Sequence, residues 1–178
     1  MAISLDKLDR AAARAAPTNL AKSLQEARAS MKKTAFLSHS HLDAKRAKGL
    51  QTLLAEEGWD VFIDWEHTRL DDRPTKETVQ LIQAAINRAD WLFYLATPNA
   101  GRSRWCPWEI GYADGRKSAS AIIVIATSDS QGTYGSEYLD LYAQISTTSV
   151  DDRLGFFMPG SSTSGRYLRE VATVPTRP

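Results

Sequence analysis

The densest group of chemistry-bearing side chains is Ser103-Arg104-Trp105-Cys106-Pro107-Trp108-Glu109-Ile110-Gly111-Tyr112. Pro107 suits the first position of a helix, where a missing N–H costs nothing. Glu109 then falls in the first turn, where the helix dipole favours an anion. Trp105 precedes Glu109 by four residues and Tyr112 follows it by three, a spacing that sets both beside it on a helix. Flat aromatic rings around one carboxylate can hold a flat, cationic ring. The same residues also fit a blander pattern, an acidic first turn beside core tryptophans. Burial against Trp105, Trp108 or Tyr112 would raise the carboxyl pKa and the dipole would lower it; the expectation is an anion at neutral pH.

Two other groups invite chemistry. Ser38-His39-Ser40-His41 follows a short apolar run. Successive side chains at a strand end point opposite ways, so the two histidines need not converge, and a zinc site would need carboxylates from elsewhere. No metal is expected; the Ser and His groups either satisfy backbone at a strand-to-helix turn or hydrogen-bond a ligand. Cys106, the single cysteine, paired with a distant histidine would be a thiol nucleophile, but beside two tryptophans it reads as a small buried residue. The sequence contains neither G-x-G-x-x-G nor G-x-x-x-x-G-K-[ST], which weakens the common nucleotide-binding readings of an α/β chain.

The elements that must position these residues follow from the apolar pattern. Residues 34–38, 59–64, 91–96 and 121–126 read as strands, with a weaker fifth over 145–150. Helices are expected from Ser40 as N-cap, with Asp43 bonding back, to Gly58; over Thr78–Ile86; from Pro107 to about Arg116; briefly over 138–144; and over 166–174. Pro98–Gly101 and Trp65–Pro74 read as loops. Regular alternation of strand and helix is the signature of a parallel sheet covered on both faces, and the run 91–96, apolar throughout, belongs at its centre. Ligands on such sheets sit outside the carboxyl ends of the strands, which draws the segments after Leu37, Ile63, Ala96 and Ala126 into one candidate site.

The 178 residues divide into a helical arm (1–32), an α/β domain (33–150) and a tail with a helix packing on the domain (151–178). The first 33 residues carry seven Lys/Arg against three Asp/Glu, while the remainder is net negative. The arm, with Leu5, Leu8, Leu20 and Leu24 at helical spacings and Pro17 as a break, packs on the domain, on a second copy or nowhere, and is expected to be dispensable for folding. The whole chain is nearly neutral, 22 basic and 21 acidic residues, which argues against a dedicated nucleic-acid binder. No apolar run approaches the roughly 18–20 residues of a membrane helix, and the amino terminus is a poor secretion signal. A cytoplasmic protein is expected.

Three blocks in order resemble the Toll/interleukin-1 receptor (TIR) domains, especially their stand-alone bacterial members. Phe36 to Asp43 resembles the family's first box, Gly58 to Asp64 its second strand with the long loop after it, and Ser103 to Glu109 the box that holds the glutamate of catalytic members. The resemblance implies a flavodoxin-like five-stranded parallel sheet with helices on both faces. It implies cleavage of the nicotinamide–ribose bond of NAD, giving nicotinamide with ADP-ribose or a cyclic ADP-ribose signal, in bacterial antiphage defence. Glu109 then matches the catalytic glutamate and Trp105 a ring-stacking aromatic. Ser38, His39, Asp43, Trp65 and Tyr112 join Trp105 as substrate-binding residues. NAD would be the substrate, with no resident cofactor; the chain would self-associate through TIR surfaces and reach a separate effector through its product, with no nucleic acid or membrane as partner. The alternative is a TIR module that assembles without catalysis. A flavin-binding or receiver domain is a third reading, but Asp64 lacks the acidic pair a receiver needs after the first strand.

Overall fold

The computed structural model describes residues 1–14, 33–59, 61–64, 75–138, 140–161 and 164–172. In chain order the elements are β1 (Ile3–Ser4), α1 (Leu5–Ala12), β2 (Lys33–Ser38), α2 (Ala44–Glu56), β3 (Val61–Asp64), α3 (Lys76–Arg88), β4 (Trp91–Ala96), α4 (Pro98–Arg102), α5 (Cys106–Asp114), β5 (Ile122–Asp129), β6 (Gly132–Tyr134), β7 (Ala143–Thr147), β8 (Leu154–Phe157), β9 (Gly165–Tyr167) and α6 (Leu168–Ala172). The strands run β3-β2-β4-β5-β7-β8-β9 across the sheet. The first five are mutually parallel, the expected flavodoxin-like arrangement, and β8 and β9 add antiparallel at the β7 edge. The chain leaves β2 toward β3 on one side and returns to β4 on the other. The order therefore reverses between β2 and β4, the position at which sheets of this kind form a crevice at the carboxyl ends of the strands.

Alternation along the strands builds two cores. Ala35, Leu37, Phe93, Leu95, Ile123 and Ile125 face α1 and α2. Phe36, Leu92, Tyr94, Ala96, Ile122 and Val124 face α3 and α5. Strand β4 lies between β2 and β5 and is covered on both faces, as its unbroken apolar run requires.

Several elements depart from the sequence pattern. Pro98–Gly101 is helical, because the Thr97 hydroxyl caps it by accepting the Ala100 N–H at 3.0 Å and proline suits its first turn. The fifth parallel strand lies at 143–147, ahead of its expected place, and among the described residues a 3₁₀ turn at Ser136–Tyr138 ends where the short helix over 138–144 is expected to begin. Among the described residues the final helix spans 168–172, after the strand β9, and residues 173 and 174 of its expected range lie outside them. The Trp59 indole N–H, donating to the Leu168 carbonyl at 2.9 Å, fastens that helix to the domain.

The first residues of the arm pack into the core of the domain, the first of the three placements expected for it, and this burial argues against dispensability. Ile3 and Ser4 pair in parallel with Thr127 and Ser128 at the end of β5, and the Thr147 N–H on β7 donates to the Met1 carbonyl. Ser4 caps α1, whose Leu5, Leu8 and Ala11 are buried against α2. Composition marks this segment as different, but a helix with two leucines on one face is still driven onto any apolar surface that accepts it. Pro17, Leu20 and Leu24 lie outside the described residues.

The acceptor surface is made by Gly49. A Cβ at that position would sit 2.0 Å from the Leu8 carbonyl oxygen, so α1 crosses α2 at backbone contact. Exchanging a helical glycine for alanine ordinarily stabilises by about 1 kcal/mol. Gly49→Ala is expected to do the reverse, lowering the urea midpoint because α1 must move outward. A variant as stable as the parent, or more stable, would show that α1 does not dock through this contact.

Candidate active site

The crevice between β2 and β4 is walled by two turns. The first runs from Ser38, the last residue of β2, to the start of α2; the second runs from Ala96 through α4 to α5. Ser38 pairs in register with Tyr94 and points to the α3/α5 face, where α5 presents Glu109 from its first turn. The Ser38 hydroxyl donates to Glu109 Oε2 at 2.5 Å. Helix α5 starts one residue before Pro107, at Cys106, because the Ser103 hydroxyl accepts the N–H groups of Trp105 and Cys106 at 3.1 and 3.3 Å.

Burial sets the charge state here. Glu109 is 5% exposed, and desolvation pushes its carboxyl up from 4.5 to about 7, the Ser38 hydrogen bond pulling the other way. The expected anion at neutral pH is therefore corrected to a group near its midpoint: the helix dipole does not outweigh removal from water. Cys106 is fully buried. Burial, then the neighbouring Glu109 charge, pushes its thiol up to about 12, with hydroxyl contacts from Ser103 and Ser38 opposing. It is a neutral thiol, unsuited to nucleophilic attack.

Trp105 is half-buried at the amino end of α5, and its indole N–H, fully shielded, has no hydrogen-bond partner among the described residues. Its ring meets Trp108 edge-on at 5.8 Å, and Trp108 stacks on Tyr112 at 5.5 Å. Tyr112 turns away from the crevice. Its hydroxyl accepts from Asn87 Nδ2 at 3.0 Å in the last turn of α3, at the level of the amino ends of the strands. His39 is buried, its Nδ1 3.0 Å from the Leu37 carbonyl oxygen, and desolvation lowers its pKa. His41, two residues on, is exposed. Trp65 lies outside the described residues.

Asp43 does not bond back to cap α2. Ser40 accepts the Leu42 N–H instead, at 3.4 Å. The Asp43 carboxylate, 1% exposed, accepts from Thr97 Oγ1 at 2.6 Å, Asn99 Nδ2 at 3.0 Å and Arg46 Nη1 at 2.8 Å. It thus ties the first wall of the crevice to the second. Arg46 also lies 3.6 Å from Asp9 on α1, linking the amino-terminal helix to the same pin. Thr97, Asn99 and Arg46 are absent from the sequence-based site, and Ser103, inside its densest group, has no role assigned there. Their roles depend on partners brought together by the sheet, and the one local signal is Thr97-Pro98, a cap followed by a first-turn proline.

Removing the pin has a measurable cost. Asp43→Ala leaves the buried Thr97 hydroxyl and the half-buried Asn99 amide without their acceptor, and Arg46 with only its longer contact to Asp9, and should destabilise by about 3 kcal/mol or more in urea unfolding. A loss below about 1 kcal/mol, the scale of an exposed pair, would show that the two walls stand without it.

Comparison with known proteins adds to the geometry. A family model for the TIR domain matches residues 35–154. Over 118 residues the chain is 36% identical to a protein of Bacillus cereus (strain MSX-D12) described as a probable 3' cyclic ADP-D-ribose synthase ThsB'. The aligned stretch is 65% of this chain and 61% of that relative, so the chain spans less than two thirds of the relative's length.

Proposed function

The chain belongs to the TIR domain family, and from that premise we propose that it cleaves the nicotinamide–ribose bond of NAD, releasing nicotinamide with ADP-ribose or a cyclic ADP-ribose. The observation that carries this reading is the Ser38–Glu109 pair: a buried carboxylate, oriented by a 2.5 Å hydrogen bond, at the carboxyl end of the sheet where ligands bind. The likeness to the Bacillus cereus protein described as a probable 3' cyclic ADP-D-ribose synthase supports the same chemistry.

Nicotinamide in NAD is a cationic pyridinium, so the C–N bond breaks with both electrons going to a neutral leaving group. No general acid is required, and one carboxylate serves where most glycosidases need two. Glu109 faces the ribosyl cation that develops, and in a water-poor site its charge stabilises that cation without reorganisation. Trp105, one turn before Glu109 at the start of α5, is the aromatic to stack on the departing ring. In hydrolysis, water attacks the ribosyl carbon; in cyclisation, a hydroxyl of the same ADP-ribose attacks. Either nucleophile releases one proton, which the Glu109 carboxylate accepts and passes to solvent. Nothing in this sequence of steps calls for a resident cofactor.

On the same reading the enzyme works in the cytoplasm, copies of the chain assemble through the loop 65–74 that begins with Trp65, and the nucleotide product signals to a separate effector in antiphage defence. No helix among the described residues is long and apolar enough to cross a membrane.

The test is chromatography of nicotinamide released from NAD across pH. The ionised carboxylate is the working form, so turnover rises with pH through about 7, the Glu109 midpoint, and levels off above it. Glu109→Gln keeps the size and the Ser38 bond but loses the charge, and should lower turnover on the order of 10²-fold or more at pH 8 with the melting temperature preserved. Wild-type rates from Glu109→Gln would remove the catalytic assignment. No nicotinamide from the parent protein at any concentration would leave the non-catalytic assembly module in its place.

A further inference from the structure

A second cleft, of about 310 Å³, opens beside the crevice at the carboxyl ends of β4 and β5. Tyr94, Thr97, Gly101 and Arg102 form one side, and Tyr134 and Glu137 the other. It is built from rigid parts. The Tyr134 hydroxyl donates to Asp129 Oδ1 at 2.8 Å, and the same oxygen accepts the N–H groups of Gln131 and Gly132, so the β5–β6 hairpin holds the ring in place. Gly135, with φ of +86°, carries the chain against Ala96, where a Cβ would sit 2.4 Å from the Ala96 Cβ. Tyr94 lines the cleft and also belongs to the core cluster that holds Cys106, three residues before Glu109 on α5.

Its lining is chemically incomplete. The Arg102 guanidinium and the Glu137 carboxylate have neither an ion pair nor a hydrogen bond with any described residue. An arginine matches a phosphate, a carboxylate accepts from ribose hydroxyls, and a fixed tyrosine ring offers a face to a base. These are the three parts of a nucleoside monophosphate. From β2, which carries Ser38, to β5, which leads into the hairpin, is two strand spacings, about 10 Å. The cleft and the crevice therefore lie on the two sides of β4, a separation that an extended dinucleotide can bridge.

We propose that this cleft is the subsite for the adenosine-phosphate half of the dinucleotide, with Arg102 on a phosphate, Glu137 on the ribose hydroxyls and Tyr134 against the base. The assignment rests on the NAD-cleaving reading for its substrate, but not for its chemistry: the cleft recognises a nucleoside monophosphate whether or not Glu109 cleaves anything. It also gives the cleft a share in the outcome, because the end of the dinucleotide held there decides whether its ribose hydroxyl can return to the cation at Glu109.

The test compares NAD with nicotinamide mononucleotide, which has the same scissile bond and no adenosine half. Two variants are used, Arg102→Met and Gly101→Phe, both at exposed positions; the second fills the cleft from a site where a Cβ meets no atom within 4 Å. Each should raise KM for NAD on the order of 10-fold while kcat/KM for the mononucleotide stays within about 2-fold, as expected for loss of one charged or packed contact to the distal half. An unchanged NAD-to-mononucleotide preference in both variants overturns the proposal. Calorimetric titration with AMP separates the two readings. If the parent protein releases no nicotinamide, the NAD-cleaving reading fails, and AMP binding that is lost in Gly101→Phe still supports the subsite. In that case, AMP binding equal in parent and variant, or absent from the parent, overturns it.

Discussion

A carboxylate taken out of water at the end of a parallel sheet is the constraint around which the rest of this molecule is arranged. Glu109 is almost fully buried, and its ionised form is tolerated because Ser38 donates a short hydrogen bond to it. That bond crosses from the last residue of β2 to the first turn of α5. It exists because the sheet brings the end of β2 beside β4 and because Ser103 starts α5 where it does. Two neighbours of the carboxylate are themselves neutral, the Ser38 hydroxyl and the protonated Cys106 thiol. On the proposed reading, a carboxylate fixed in a water-poor site is placed to stabilise a developing cation.

Holding such a group costs stability, and the fold offsets the cost in the second layer. Asp43 is buried too, but it is saturated: two side chains of the opposite wall and one arginine from its own helix occupy its oxygens. Arg46 extends that connection to Asp9, so the amino-terminal helix, seated on Gly49 and joined to the sheet by β1, supports the crevice from behind. Two carboxylates only a strand apart thus differ in kind. The one with three donors has a structural task, and the one with a single hydroxyl donor among the described contacts is left free to act.

Much of this is legible in the chain. The unbroken apolar runs at 91–96 and 121–126 show central parallel strands, and the Pro107–Glu109 spacing shows a helix that starts at a sheet mouth. What is not legible depends on distance along the chain or on a balance of opposed terms. Thr97 and Asn99 reach Asp43 across 54 and 56 residues, and neither side of that contact announces the other. Tyr112 has the right spacing to flank Glu109, yet stacking on Trp108 and a hydrogen bond from Asn87 turn it toward the far end of the sheet. Charge composition separates the first residues from the domain, whereas packing at Gly49 joins them to it. For Glu109 the dipole and desolvation act in opposite directions, and only the degree of burial decides between them.

The most direct test of this account is the ionisation of Glu109 itself, followed by carbon NMR of its side-chain carboxyl as pH is varied, with Glu109→Gln identifying the signal. Burial at the crevice predicts a midpoint of about 7. A midpoint at or below the ordinary value of 4.5 would mean that water or a cation reaches the carboxylate, and would contradict the claim that desolvation poises it.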